Sequence, residues 1–232
     1  MAFQSYSAMH AAVLVGVAAS IGLLVAAGRA WHGSTRQRWL ERGVATAILL
    51  LRAGVFLWNL LQPHRDLGGI LPLQICDLAA ICSALALLSE RRWLAVIAYF
   101  WGLALSVQGL IQPDLRAGPE SLEFWLFWLH HTLIVGVAIY LTLVRGFRPN
   151  RRDFVFAALT GWAYVALVFC VDLGLDVNYG YLGRANPAYP TLLDWLGPWP
   201  WRVLAMTALG TLLMWLLLLP WSLFGGRRSS YS

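Results

Sequence analysis

Charge is scarce in this chain and lysine is missing altogether. Of 232 residues only 12% are charged, 59% are hydrophobic, and all 17 basic side chains are arginine. A soluble domain carries about 25% charged residues, so this composition, with a mean hydropathy of +0.65, excludes an ordinary soluble fold. No stretch repeats at a period of 20 to 50 residues and no low-complexity tract interrupts the chain. Residues 1 to 10 contain no Lys or Arg, so the basic n-region of a cleaved signal peptide is lacking, and the first apolar segment is expected to remain as an anchor. No pair of His, Cys or acidic residues shows ligand spacing such as HxxxH or CxxC, so neither a metal site nor a cofactor is expected.

What the chain has instead is long apolar runs. A hydrocarbon core of about 30 Å takes roughly 20 apolar residues per helix. Seven segments qualify: 11 to 28, 43 to 61, 71 to 88, 93 to 111, 122 to 144, 154 to 172 and 203 to 224. Short connections leave no room for a soluble domain, so the expectation is one all-α, polytopic transmembrane bundle over residues 1 to 232.

The arginines fall in alternate loops. Arg29, Arg36, Arg38 and Arg42 precede or open the second segment. Arg91 and Arg92 follow the third, Arg145, Arg148, Arg151 and Arg152 follow the fifth, and Arg227 and Arg228 end the chain. The other side receives Arg65, Arg116, Arg184 and Arg202, with Arg52 inside the second segment. Because cytoplasmic loops collect Arg and Lys, the N-terminus is expected outside and the C-terminus inside, which agrees with an odd number of helices. The net charge of +6 then reports topology and contact with the negative cytoplasmic leaflet, not nucleic-acid binding.

Topology gives each intramembrane polar residue a depth. A helix entering at Leu71 places Cys76 about 8 Å below the entrance, with Gln74 and Asp77 within a turn of it. Gln108 and Gln112 end the fourth segment before QPDLRAGP breaks it, and His131 lies past the interfacial Trp125 and Trp128. His10, Cys170 and Asp172 share that half. An Asp in hydrocarbon costs about 2.5–3.5 kcal/mol or more, so these groups are expected to line an outward-opening cavity. Cys76 and Cys82, about 9 Å of helical rise apart, are too distant for a disulfide, while a Cys76 to Cys170 bridge is left open.

A cysteine and a histidine at one depth on different helices make a nucleophile and its base: thiolate attacks an acyl carbon while imidazole carries the proton. On residue type alone, Cys76 reads more simply as a small packing residue. Asp77 either orients a histidine as the third member of a triad or pairs with Arg52 or Arg65. His130 and His131 point about 100° apart, and periodicity does not choose between them. Gln108 and Gln112 share a helical face and suit inter-helix hydrogen bonds. The loop from 173 to 202 reads as an interfacial lid anchored by Trp195, Trp199 and Trp201, or as a plain interfacial loop. A small-molecule transporter and a non-enzymatic scaffold are the competing functions.

Several stretches together resemble a known family: FQSYSAMH at 3 to 10, LPLQICDLA at 71 to 79, QPDL at 112 to 115, FWLHH at 127 to 131, and NYGYL with LGPWPW between 178 and 201. Their order and spacing are similar to those of the YwaF-like bacterial integral membrane proteins, grouped with transmembrane protein 164 of animals. The resemblance implies a bundle similar to the androgen-induced-protein type of membrane hydrolases, and transfer of a fatty acyl group onto ether phospholipid through a cysteine acyl-enzyme, so a lipid acyltransferase is expected, or a lipid hydrolase where water is the acceptor. It places the family's cysteine on Cys76, its histidine on His131 and its N-terminal histidine on His10. In the catalytic set expected here, Asp77 orients or tunes the Cys76–His131 pair. Gln74, Gln108, Gln112, Asn178 and Tyr179 complete the expected substrate contacts, in a bacterial inner membrane. The chain departs from the family where Gln74 replaces a histidine and where Arg202 replaces an aromatic. A glutamine still donates a hydrogen bond to an oxyanion.

Overall fold

The computed structural model describes residues 3–61, 70–184 and 192–224. All regular structure among them is helical: α1 Ala8–Ala30, α2 Thr35–Leu61, α3 Ile75–Leu88, α4 Arg92–Ile111, α5 Leu122–Leu143, α6 Arg151–Leu175 and α7 Trp201–Phe224. Six of these are long and apolar enough to cross a bilayer. The exception is α3, whose 14 residues rise only about 21 Å. The third segment is therefore shorter than its apolar run from 71 to 88. Pro72 disfavours helix at the residue before it, Leu73 N–H turns back to Leu71 O at 2.8 Å, and the chain becomes helical only after an extended Gln74 (φ −63, ψ 141), at Ile75.

This short helix sits at the centre, packed against α2, α4 and α5, while α1 lies on α5 and α6 pairs with α7. Its buried positions are mostly alanine and serine, Ala79, Ala80, Ser83, Ala84 and Ala86, and small residues let helix backbones approach closely in membranes. The same closeness holds between α4 and α5, where a Cβ on Gly102 would stand 3.3 Å from Ala138 Cβ. There α4 widens into a π-helical segment, Trp101–Ser106, which re-phases the residues that follow. One outcome is that Gly109 rests directly on the His131 ring, and a Cβ at that position would overlap Nε2.

Contacts between helix ends show the alternation expected from the arginines. At one end Arg145 forks onto Glu41, with Nε to Oε1 at 2.9 Å and Nη2 to Oε2 at 2.6 Å. The same guanidinium donates to the carbonyls of Ala86 (3.0 Å) and Leu87 (2.7 Å), satisfying acceptors that the last turn of α3 leaves open. Tyr140 and Gln37 also donate to Glu41 Oε1, at 2.9 and 3.1 Å. Beside this network Arg92 holds Asp153 at 3.0 and 2.6 Å, and Asp153 closes a capping box with Asn150 at the start of α6. The arginines of residues 29–42, 91–92 and 145–152 thus gather at one end of the bundle. At the other, Phe3 N–H donates to Arg116 O at 3.2 Å, and α3, α5 and α7 begin. Arg65, Arg227, Arg228 and residues 185–191 of the expected lid lie outside the described residues.

Arg145→Met leaves the Glu41 carboxylate buried without its counter-charge, a loss of about 3–5 kcal/mol when a buried pair is broken from one side. The thermal midpoint of the detergent-solubilised variant should fall accordingly, and Arg145→Lys, which restores charge without the fork, should recover only part of it. An unchanged midpoint for Arg145→Met would remove this network from the architecture's supports.

Candidate functional site

The site is built on the first turn of α3. Gln74 occupies the N-cap but does not cap: its Oε1 accepts from the Gly180 N–H at 2.8 Å. Cys76 and Asp77 are the second and third helical residues, and Asp77 gains from the positive end of the helix dipole. Asp77 Oδ1 is the hub. Arg52 Nη2, from α2, reaches it at 2.9 Å. His130 Nε2, from α5, stands 3.7 Å away, and the Cys76 thiol points to the same oxygen at 3.9 Å. Sγ, the carboxylate oxygen and the imidazole nitrogen all lie within 4.8 Å of one another. Asp77 and His130 are buried, and His130 Nε2 has no hydrogen-bond partner among the described residues.

The donor types, thiolate, imidazole and carboxylate, are those a zinc ion takes. Here the guanidinium of Arg52 already neutralises the carboxylate, and its fixed positive charge at 2.9 Å opposes a divalent cation in the same place. A thiol and an imidazole this close are groups able to exchange a proton.

A strap covers this turn. Tyr179 OH accepts from Leu71 N–H at 2.9 Å and Tyr164 OH donates to Leu73 O at 2.7 Å. Asp172 Oδ1 fixes the Tyr179 N–H at 2.9 Å. Arg202, ion-paired with Asp194, donates to Tyr181 O (3.2 Å) and Gly183 O (2.7 Å). The strap turns through a left-handed Gly180 (φ 59) and Tyr181 (φ 61), and at Gly183 any side chain would strike the Val177 carbonyl. Tyr181 OH donates to Asp114 Oδ2 at 3.0 Å. Burial pushes this phenol's pKa up and the Asp114 carboxylate adds to it, so the donor keeps its proton. Among the described residues the strap covers the start of α3, where the sequence leads one to expect an outward-opening cavity. Trp195 (85% exposed) and Trp201 (68%) lie bare as interfacial anchors would, whereas Trp199 turns inward to stack on Phe169.

The remaining expected residues are placed as follows. His131 Nδ1–H donates to Phe127 O at 2.9 Å, and its ring lies 4.3 Å from that of Phe127; its neighbour His130 is the imidazole beside Cys76. His10 uses both nitrogens: Nδ1 accepts from Tyr6 N–H at 2.9 Å, which leaves Nε2–H to donate to Leu110 O at 2.9 Å. It clamps α1 to the end of α4. Gln108 is exposed, while Gln112 Oε1 and Asn178 Oδ1 are buried without partners among the described residues. Cys76, Cys82 and Cys170 are all free thiols, so the open Cys76 to Cys170 bridge is not formed. Of the two partners weighed for Asp77, Arg52 holds it. Sequence periodicity carries no signal for His130, since its orientation depends on how α5 is rotated against α3. Glu41, just ahead of the second apolar run, had only its position among the arginines as a signal.

Bilayer-length helices packed around an Arg–Asp–His–Cys cluster, with Asp77 and His130 buried and Arg52 and Cys76 partly so, define a multi-pass helical membrane protein with a polar site at one end of its bundle. The TMEM164 family model matches residues 5–218, and the chain belongs to the TMEM164 family. A relative described as "Uncharacterized protein" from Treponema pallidum (strain Nichols) is 28% identical over 138 residues, 60% of this chain and 58% of the relative's length. No solved structure matches.

Arg52→Met strands the Asp77 carboxylate and should cost about 3–5 kcal/mol. Arg52→Met combined with Asp77→Asn should recover most of that loss, because no charge is then left unpaired. A double-mutant cycle on thermal midpoints reads the difference, and additive losses would contradict the pairing.

Proposed function

We propose that this protein is an acyl-transfer enzyme embedded in the membrane, with Cys76 as nucleophile and His130 as its base. The observation that carries the reading is the convergence of thiol, imidazole and carboxylate from two helices within 4.8 Å, in a chain whose other surfaces face lipid. The substrate class is a fatty-acyl ester of a membrane phospholipid. The family resemblance in the sequence supports the same chemistry and places the histidine role at His131; the 2.9 Å bond of that ring to Phe127 O supports a positioning role for it instead.

His130 takes the proton from the Cys76 thiol, and the thiolate adds to the ester carbonyl carbon. Collapse of the adduct breaks the bond to the alkoxide oxygen of the donor lipid, which takes the proton back from the imidazolium, leaving a thioester on Cys76. In the second half the hydroxyl of an acceptor lipid, or water, gives its proton to His130 and attacks the thioester carbonyl. Sulfur departs and is reprotonated by the imidazolium. Asp77 Oδ1, 3.7 Å from Nε2, orients the ring toward Cys76, with its own charge matched by Arg52. The arginine bias supports a cytoplasmic arginine end, so the site faces the outer leaflet of a bacterial inner membrane, where Trp195 and Trp201 meet the headgroups.

A transporter needs a polar path onward from such a site. Between the Cys76 cluster and the Glu41 network, the buried face of α3 is apolar apart from Ser83, which favours the enzyme.

Incubating purified protein with acyl-labelled phospholipid should give a hydroxylamine-sensitive adduct that Cys76→Ser abolishes. Loss of a general base costs about 100- to 10,000-fold, and His130→Ala should show that loss while His131→Ala shows less. The reverse order would exchange the two roles. Absence of labelling from any phospholipid donor, with Cys76→Ala silent in cellular lipid profiles, would favour a scaffold.

A further inference from the structure

The first turn of α3 holds backbone donors that the bundle leaves unused. Asp77 and Leu78 N–H both donate to Gln74 O, at 2.9 and 3.4 Å. Among the described residues no acceptor outside the turn meets the N–H of Ile75 or Cys76, and the Cys76 N–H lies only against its own sulfur. Every helix starts with such orphan donors, and an N-cap side chain normally takes one or two of them. Ser7, Ser121 and Asn150 do so for α1, α5 and α6. At α3 the N-cap residue is Gln74, and its Oε1 is drawn off to the Gly180 N–H of the strap. A second observation lies beside the same turn: His130, with a side chain only 8% exposed, leaves Nε2 without a hydrogen bond among the described residues, next to the Cys76 sulfur and 3.7 Å from Asp77 Oδ1.

We propose that this uncapped turn is the oxyanion hole of the acyl transfer assigned above, and the inference rests on that reading. As Sγ bonds to the ester carbon, the π pair of the carbonyl moves onto its oxygen. The N–H groups of Ile75 and Cys76, fixed by the helix and backed by its positive end, receive that charge. When the adduct collapses, the pair returns to the carbonyl and the leaving oxygen takes its proton from His130. Gln74 is then a positioning residue: by bonding the strap it keeps the hole vacant, which a capping Ser or Asp in its place would not.

Proline removes one donor without breaking the helix. Ile75 is the first helical residue, where proline is well accepted, and the extended Gln74 (φ −63, ψ 141) already has the conformation that precedes proline. Ile75→Pro is compared with Ile75→Ala, which truncates the side chain but keeps the N–H. Two rates are read on full-length protein in phospholipid nanodiscs: acylation of Cys76 by labelled phospholipid, and alkylation of Cys76 by iodoacetamide, which develops no oxyanion. Acylation of Ile75→Pro should be about 100- to 1,000-fold slower than that of Ile75→Ala, with alkylation alike in both. Equal acylation overturns the proposal. If Ile75→Pro fails to fold or loses alkylation, Gln74→Ser against Gln74→Ala decides. Both lose the strap bond, and only serine caps the turn, so serine should raise the thermal midpoint and slow acylation. Serine acylating as fast as alanine overturns the proposal too. A wild type that never acylates defeats the parent reading instead.

Discussion

The Arg52–Asp77 ion pair is the constraint around which the rest of the structure is arranged. A carboxylate in the body of a membrane protein is tolerated only when neutralised and bonded, and the guanidinium at 2.9 Å does this while fixing α2 to the start of α3. With its charge settled, Asp77 tolerates a thiol and an imidazole beside it, and α3, α2 and α5 meet at one oxygen atom. At the opposite end, the Glu41–Arg145 pair does for the close of α3 what Arg52 does for its opening. A helix too short to span is thereby held at both ends by charge.

The strap depends on this arrangement and completes it. It bonds the backbone of Leu71 and the side chain of Gln74, just ahead of α3, while Tyr164 of α6 bonds Leu73 O. Both strap contacts are available because the helix starts only at Ile75. Arg202, itself buried, supports the strap through two carbonyls.

Much of the bundle is legible in the sequence because apolar run length and arginine placement both follow from the cost of placing charge in hydrocarbon. That logic finds all seven helices and which loops share an end. It misplaces the start of α2, whose polar first turns with Gln37 and Glu41 project past the apolar run, and the start of α3, where a proline outweighs hydropathy. Gln74, Cys76 and Asp77 stand out as polar letters in an apolar stretch, so their region is visible too. The identity of the facing imidazole is not, since it turns on the rotation of α5. Nor does the sequence announce the π segment of α4 that brings Gly109 onto the His131 ring.

The shortness of α3 has a consequence for selectivity. With its C-terminal carbonyls pinned by Arg145, the whole shortfall against a bilayer-length helix, about 9 Å at 1.5 Å per residue, falls at the Cys76 end. Cys76 therefore lies beneath residues 71–74 and the strap, in the place a longer helix would fill. On the acyl-transfer proposal, the glycerol and headgroup of an ester must displace the strap to reach it, while the acyl tails need only lie alongside. Discrimination among lipids would then act on headgroup bulk, with chain length and unsaturation left to the bilayer.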